Sequence, residues 1–256
     1  MTQFARYPSL EGVPVIVSGG ASGIGESIVR EFAGQGAKVG FVDIAAERGA
    51  ALAEELNDKG GTTRFIACDI TDIPAYEAAI AEFAGTHGDA LVLVNNAAHD
   101  ERHDWKDVTS EFFDDRIAVN LKHAFFAIKA VAPGMIRAQK GSIINFGSIS
   151  WMMMSAQLPV YQSAKAAQHG MTRGMARELG KSNIRVNTLV PGWIMTERQL
   201  TLWVDEAANK LMDEQQALAG RVMPEDVARM VLFLGADDSR MISAQNFIVD
   251  GGWVHS

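Results

Sequence analysis

An α/β fold built on a doubly wound parallel sheet is predicted by three features of the chain. Short apolar runs that do not alternate with polar residues are separated by stretches with helical periodicity, as expected of strands buried on both faces. A glycine-rich turn lies between the first such run and the first helical stretch. Most runs end in polar or small residues, which gathers chemistry at the carboxyl edge of the sheet.

Pro14 to Ser18 is a β-branched run that passes directly into Gly19-Gly20-Ala21-Ser22-Gly23-Ile24-Gly25, after which Ile24, Ile28 and Phe32 recur at helical spacing. Glycines there allow a tight turn and bring backbone N–H groups close to a pyrophosphate at the positive end of the helix. Lys38 to Val42 reads as the second strand and ends at Asp43, 18 residues beyond Gly25. A carboxylate there accepts hydrogen bonds from ribose hydroxyls and repels a 2′-phosphate, which favours NAD over NADP. The same aspartate in a loop also suits capping of the helix that follows. Leu52 and Leu56 mark that helix, Arg64 to Cys68 the third strand, ending at Asp69, and Ile80 and Phe83 the third helix. Leu91 to Val94 is a fully apolar strand that runs into Asn95-Asn96-Ala97-Ala98.

From Thr109 to about Val131, Phe112, Ile117, Leu121, Phe125, Ile128 and Val131 form one helical stripe suited to core or subunit contact, with Asn120 beside it as a polar residue facing water. The strand Ser142 to Phe146, a loop, and a long helix through Lys165 to Leu179 follow; Ile184 to Val190 then ends in Pro191-Gly192-Trp193. The polar, acidic segment 193–219 is expected to form a lid over the site. Pro224 to Leu234 reads as a helix with proline in its first turn, and Asn246 to Asp250 as the last strand. Without linker, repeat or low-complexity segment, residues 1–256 are read as one domain.

The bulk properties narrow the function. A net charge of −8 and the lack of a basic cluster argue against nucleic-acid binding. Cys68 is the single cysteine, so no internal disulfide framework is available, and at the end of an apolar run it suits a buried position. Neither a signal peptide nor an apolar stretch long enough to cross a bilayer is apparent, and a soluble cytoplasmic protein is expected. No metal-ligand cluster is expected.

Chemistry concentrates between Asn145 and Lys165. Tyr161 and Lys165 stand four apart at the start of a helix, so phenol and ammonium address one small volume. A free phenol has a pKa of about 10, and a neighbouring cation favours the phenolate, which makes it a working base. Ser148 is placed to hydrogen-bond the substrate oxygen whose proton the phenolate takes.

In order and placement, these residues resemble the classical short-chain dehydrogenase/reductase family over almost the whole chain. The motifs are Ser18-Gly19-x-x-x-Gly23-Ile24-Gly25, Asp69, Asn95-Asn96-Ala97, Asn120, Ser148 thirteen before Tyr161, Tyr161-x-x-x-Lys165, and Pro191-Gly192. The resemblance implies a Rossmann-like domain with Tyr161 as base and Lys165 lowering its pKa and holding the nicotinamide ribose. It further implies that Ser148 orients substrate and that Asn120 supports a proton relay through water. It places cofactor contacts at Gly19, Ser22, Gly23, Ile24, Gly25, Asp43, Asp69, Ile70, Asn96, Tyr161, Lys165, Pro191 and Ile194. Ser18 replaces the family's usual threonine, and Ala98 its usual glycine, which narrows the space near the cofactor. Family members are commonly tetramers, so a homotetramer is implied, with Phe112, Phe113, Phe125 and Phe126 available for contacts.

Tyr7-Pro8-Ser9-Leu10, Asp100-Glu101-Arg102-His103 and Asn145 to Trp151 are similar to bacterial NAD-dependent aldose 1-dehydrogenases, which act on D-xylose, L-arabinose, D-galactose and similar sugars. That likeness implies hydride transfer from the anomeric carbon to NAD, giving an aldonolactone. Substrate contacts are then expected from His99, Asp100, Ser148, Trp151, Gln157, Tyr161 and Trp193, which combine hydrogen-bonding groups with an apolar platform for a sugar ring. For several of them surface exposure or packing is the plainer role. The alternative substrate is another secondary alcohol or ketone, such as a polyol, steroid or acyl intermediate. A nucleotide-binding regulator without chemistry would have no reason to keep Asn120, Ser148, Tyr161 and Lys165 together.

Overall fold

The apolar runs form seven strands: β1 (Pro14–Ser18), β2 (Lys38–Asp43), β3 (Thr62–Ala67), β4 (Val92–Asn95), β5 (Gly141–Phe146), β6 (Ile184–Pro191) and β7 (Asn246–Val249). In the computed structural model, which describes residues 4–254, they make one parallel sheet ordered β3-β2-β1-β4-β5-β6-β7. Successive side chains of a strand point to opposite faces, and both faces here are covered. Val15, Val17, Val92, Val94, Ile144 and Phe146 pack on one side with Ile28, Phe32, Val227 and Val231 from helices α1 (Gly23–Gly34) and α9 (Pro224–Gly235). Ile16, Leu93 and Ile143 point the other way, onto Tyr76, Ile80 and Phe83 of α3 (Ile73–His87) and Ala127, Ile128 and Met135 of α5 (His123–Ala138). Helix α2 (Ala46–Asp58) adds Leu52 and Leu56 to the first layer. Each such side chain, wholly buried, contributes about 1.5 to 3 kcal/mol, so unalternating strands are what this architecture requires.

The strand order reverses between β1 and β4, and the crevice outside their carboxyl ends is where such sheets bind ligands. Connections at that edge carry nearly all residues singled out above. The third strand ends at Ala67, earlier than its apolar run, which leaves Cys68 and Asp69 in the turn. Cys68 is buried, as its neighbours suggested.

Three further features concern the site. The stripe from 109 to 131 is not one helix: α4 (Ser110–Ile117) passes through a π-helical turn (Ala118–Lys122) into α5. The segment 193–219 contains two helices, α7 (Glu197–Leu202) and α8 (Glu206–Gln215), joined by a short break. The loop before α6 (Pro159–Leu179) holds a 3₁₀ turn, Ile149–Trp151, capped by Ser148, whose Oγ accepts from the Ser150 N–H at 3.1 Å. Pro224 occupies the first turn of α9, as expected.

Candidate active site

A groove of about 860 Å³ opens at the switch point, lined by Gly19, Ser22, Gly23, Ile24, Gly25, Asp43, Asp69, Ile70 and Asn96, among others. Its floor depends on missing side chains. A Cβ on Gly25 would lie 1.8 Å from the Gly19 carbonyl oxygen, and Gly19 itself has φ +68 with the Ala97 backbone 2.9 Å from where its Cβ would stand. Asn96 Nδ2 donates to the carbonyls of Ser18 and Gly19, both at 3.0 Å, and fixes the turn from the β4 side. Ser22 precedes α1 without a side-chain cap, so the first-turn N–H groups keep their positive end for an anion.

Asp43 combines the two roles read for it. Its Oδ2 accepts from the Ala21 N–H and its Oδ1 from the Ala45 N–H, each at 3.0 Å. The carboxylate therefore braces the glycine turn and the entrance of α2 while facing the groove. Asp69 accepts from the Thr71 N–H and Oγ1, holding the turn that carries Ile70. A bare helix terminus, a glycine cradle and a carboxylate at the end of β2 fit a dinucleotide with its pyrophosphate on α1.

Beyond the groove, the β5–α6 connection brings Ser148, Tyr161 and Lys165 together. Lys165 is 2% exposed and donates to the Phe146 carbonyl at 2.9 Å, with Nζ 5.7 Å from the centroid of the Tyr161 ring. Burial brings the Lys165 ammonium down to about 7, with Asp100 acting in the opposite sense. Burial pushes the Tyr161 phenol up, Asp100 adds to that, and the Ser148 hydroxyl opposes both. The phenol and the ammonium share a volume as their spacing requires, but the ammonium is engaged by a carbonyl, and desolvation acts on each charge first.

Asn120 corrects its reading as a residue facing water. It is wholly buried in the π-helical turn, where its Oδ1 accepts from the His99 N–H at 2.9 Å and its Nδ2 donates to the His99 and Arg116 carbonyls at 3.1 and 2.9 Å. Its own carbonyl accepts from Gln168 Nε2 at 3.0 Å. The extra residue of a π turn places that amide against the loop after β4, and no apolar periodicity signals it.

The expected substrate contacts separate. His99 lines the groove, and its Nδ1 accepts from Arg116. Burial, then Arg116, lowers its pKa, so the ring is neutral at physiological pH. Asp100 faces α7, where Gln199 Nε2 donates to its Oδ2 at 2.8 Å and Arg198 Nε to its Oδ1 at 3.3 Å. Trp193 Nε1 donates to Gln199 Oε1 at 3.0 Å. Trp151 instead packs edge-on against His169, ring centroids 5.1 Å apart, and the side chain of Gln157 is exposed. Gln157 contributes through its backbone: in the left-handed region at φ 64, its carbonyl accepts from the His103 N–H at 2.9 Å. Pro191 ends β6, and Ile194 is 4% exposed, bridged to Val222.

Sequence reasoning missed Arg48, Thr196, Glu197 and Arg198, which also line the groove. The polarity of 193–219 led to the expectation of a lid, but the pairing of Glu197 with Arg48 at 2.8 Å spans 149 positions and has no local signature. A separate cavity of about 480 Å³ lies at the opposite, amino-terminal edge of the sheet, lined by Lys140, Ser142 and Arg185, and holds none of the expected residues. Among the described residues no acidic, cysteine and histidine cluster suits a metal ion.

A doubly wound sheet with a glycine-floored groove at its switch point and a Tyr-Lys-Ser group on the β5–α6 connection defines a dinucleotide-dependent oxidoreductase. A family model described as enoyl-(acyl carrier protein) reductase matches residues 19–254, and the chain belongs to the short-chain dehydrogenase/reductase family. Within it, the chain is similar to a D-xylose 1-dehydrogenase of Caulobacter vibrioides, 45% identical across 97% of this chain and 98% of that one. It is also similar to the Rhizobium meliloti protein named "Probable galactose dehydrogenase GalD", 44% identical across 97% of each. Among solved structures, a 3-oxoacyl-[acyl-carrier protein] reductase with bound NAD from Brucella melitensis superposes with a TM-score of 0.90 at 30% identity, covering 100% of this chain and 98% of that one.

Proposed function

We propose that this protein oxidises the anomeric carbon of a cyclic aldose, pentose or hexose, with NAD, giving the aldonolactone. The observation that carries the reading is the grouping of Ser148, Tyr161 and Lys165 beside a groove floored by Gly19 to Gly25, in a chain 45% identical to a D-xylose 1-dehydrogenase. Bound in the groove, the nicotinamide supplies the acceptor for hydride from the sugar's C1. Tyr161 takes the proton from the anomeric hydroxyl, Ser148 holds that oxygen, and Lys165 compensates the charge that develops on the phenolate. Asn120 shapes the loop after β4 through His99 and supports the relay that returns the proton to water. Asp43 favours NAD over NADP, because each of its oxygens accepts one backbone N–H and a carboxylate keeps spare acceptor capacity for ribose hydroxyls.

The segment 193–219 acts as the lid, with Asp100 and Trp193 at its seam supplying polar and apolar contacts to the sugar. In the same reading the enzyme is a cytoplasmic homotetramer; Phe113 and Phe125, 44% and 45% exposed on α4 and α5, offer apolar surface for contacts. No helix among the described residues is long and apolar enough to cross a membrane.

The test is NADH formation by the purified protein across pentoses, hexoses and 6-deoxyhexoses, with simple secondary alcohols and a steroid alongside. Turnover of one or a few aldoses with lactone as product is expected. Turnover of the alcohols or the steroid alone would remove the sugar assignment and leave the oxidoreductase chemistry standing.

A further inference from the structure

The cavity of about 480 Å³ at the amino-terminal edge of the sheet takes no part in the chemistry above, and its charges do not balance. Lys140, Arg185 and Arg240 line it against one carboxylate, Asp237, which is already held by Lys140 Nζ at 2.8 Å. Among the described residues neither Arg185 nor Arg240 forms an ion pair. Two guanidinium charges therefore border the space without a counterion, in a chain whose net charge is −8. Arg185 is the buried one. It stands at the start of β6, is 9% exposed, and reaches the end of α9, where Nη2 donates to the carbonyls of Ala236 and Gly235 at 3.2 and 3.5 Å. Both bonds are longer than the common N–H···O distance of about 2.9 Å. Nη1 is buried and has no partner. Capping of α9 accounts for Nη2 and leaves Nη1 unexplained.

A buried charge is costly without a partner of opposite sign, and the planar fork of a guanidinium matches the paired oxygens of a carboxylate or phosphate. Leu91 and Val92, at the entrance to β4, give the same cavity an apolar wall, so it has room for an organic body as well as a charged head. We propose that this cavity binds a small oxyanion, an organic carboxylate or phosphate, with Arg185 as the buried anchor, its Nη1 satisfied by a ligand oxygen, and Arg240 on the exposed side. Asp237 limits the affinity twice over, by holding Lys140 and by repelling the anion. The cavity lies at the starts of β4, β5 and β6, whose far ends carry the residues of the catalytic group and its groove, so the anion and the dinucleotide bind together at opposite edges of one sheet.

The test is isothermal titration calorimetry of the full chain, loaded with NADH to fill the groove, against inorganic phosphate and against succinate at low ionic strength, where exposed charges are least screened. One site per chain with a dissociation constant of about 0.1 to 1 mM is expected for at least one of the two anions, and the one that binds identifies which oxyanion the cavity takes. Asp237→Asn is expected to tighten binding about threefold or more, because it frees Lys140 and removes a like charge, a gain that no unfolded variant can give. Arg240→Ser, at an exposed position, is expected to weaken binding about threefold to tenfold, and Arg185→Met to abolish it in protein that still unfolds cooperatively. No binding of either anion up to about 20 mM, or an affinity indifferent to both Asp237→Asn and Arg240→Ser, would overturn the inference. NADH loading is followed by its own fluorescence, so a failure of the cofactor reading is seen apart from a failure of the anion site, which the two variants locate even with the groove empty.

Discussion

Lys165 Nζ donates to the Phe146 carbonyl at 2.9 Å while lying 5.7 Å from the centre of the Tyr161 ring, so the two groups are held as neighbours by the end of β5 and not by a bond to each other. Burial disfavours the charge on each, and an ammonium held this close favours the phenolate once the proton leaves. Activity is therefore expected to rise with pH as the phenol deprotonates. Lys165→Met should displace that rise to higher pH and reduce kcat/KM about ten- to a thousandfold near neutrality, and Tyr161→Phe should abolish turnover while NADH still binds. A pH–rate profile of Lys165→Met superimposable on the unaltered enzyme would remove Lys165 from this role.

Asp43 carries selectivity and architecture at once, so its replacement should show in two measurements. Asp43→Ser is expected to lower kcat/KM for NAD and raise the NADP-to-NAD ratio at least about tenfold, because the repulsion of a 2′-phosphate is lost. The N–H groups of Ala21 and Ala45 lose their acceptor, which costs about 1 to 3 kcal/mol in urea unfolding. Unchanged cofactor preference with reduced stability would leave Asp43 a brace only.

The sheet was legible because its signal is local: Val15, Ile16 and Val17 must all be apolar when alternate side chains enter opposite layers. The closeness of Tyr161 and Lys165 was legible for the same reason, since i and i+4 on a helix share a face wherever that helix lies. What could not be read depends on partners distant in sequence. Asn120 is addressed by His99, 21 positions away, and sits in a π turn. Asp100 was read as a substrate contact, with surface charge as the plainer role, because its partners Arg198 and Gln199 lie 98 and 99 positions on. Trp151 and Gln157 were credited with substrate contacts by their place in a loop, yet the ring of one is turned onto His169 and only the backbone of the other bonds inward.

Asn120 gives a prediction that separates shape from chemistry. Its side-chain amide satisfies the His99 N–H and the carbonyls of His99 and Arg116, all in a buried turn, and Asn120→Ala leaves these groups without partners. A loss of about 2 to 4 kcal/mol in denaturant unfolding is expected, with the midpoint moving and the slope unchanged. Turnover should fall as well, since the displaced loop carries His99 and Asp100. Full stability with lost turnover would show that the amide serves the reaction without holding the loop.

His123, the first residue of α5, predicts how the fold responds to acid. The ring is 1% exposed, its Nδ1 has no hydrogen-bond partner, and burial followed by the charge of Lys165 brings its pKa from 6.5 down to about 3. Below about pH 6.5 the unfolded chain binds a proton at this histidine that the native chain refuses until about pH 3. Stability contributed by keeping the ring neutral is therefore full above pH 6.5 and is lost as pH falls, with a slope of up to about 1.4 kcal/mol per pH unit. Carboxylates and His169, whose pKa burial also lowers, add to the loss in both proteins, so the comparison that isolates His123 is with His123→Gln, a side chain that cannot titrate. Urea unfolding of the two between about pH 6 and 4 should give diverging curves, the variant losing less stability per pH unit. Parallel curves would mean that the ring takes up its proton inside the folded protein, and that the pocket around Tyr76 and Ala97 admits a charge that burial disfavours.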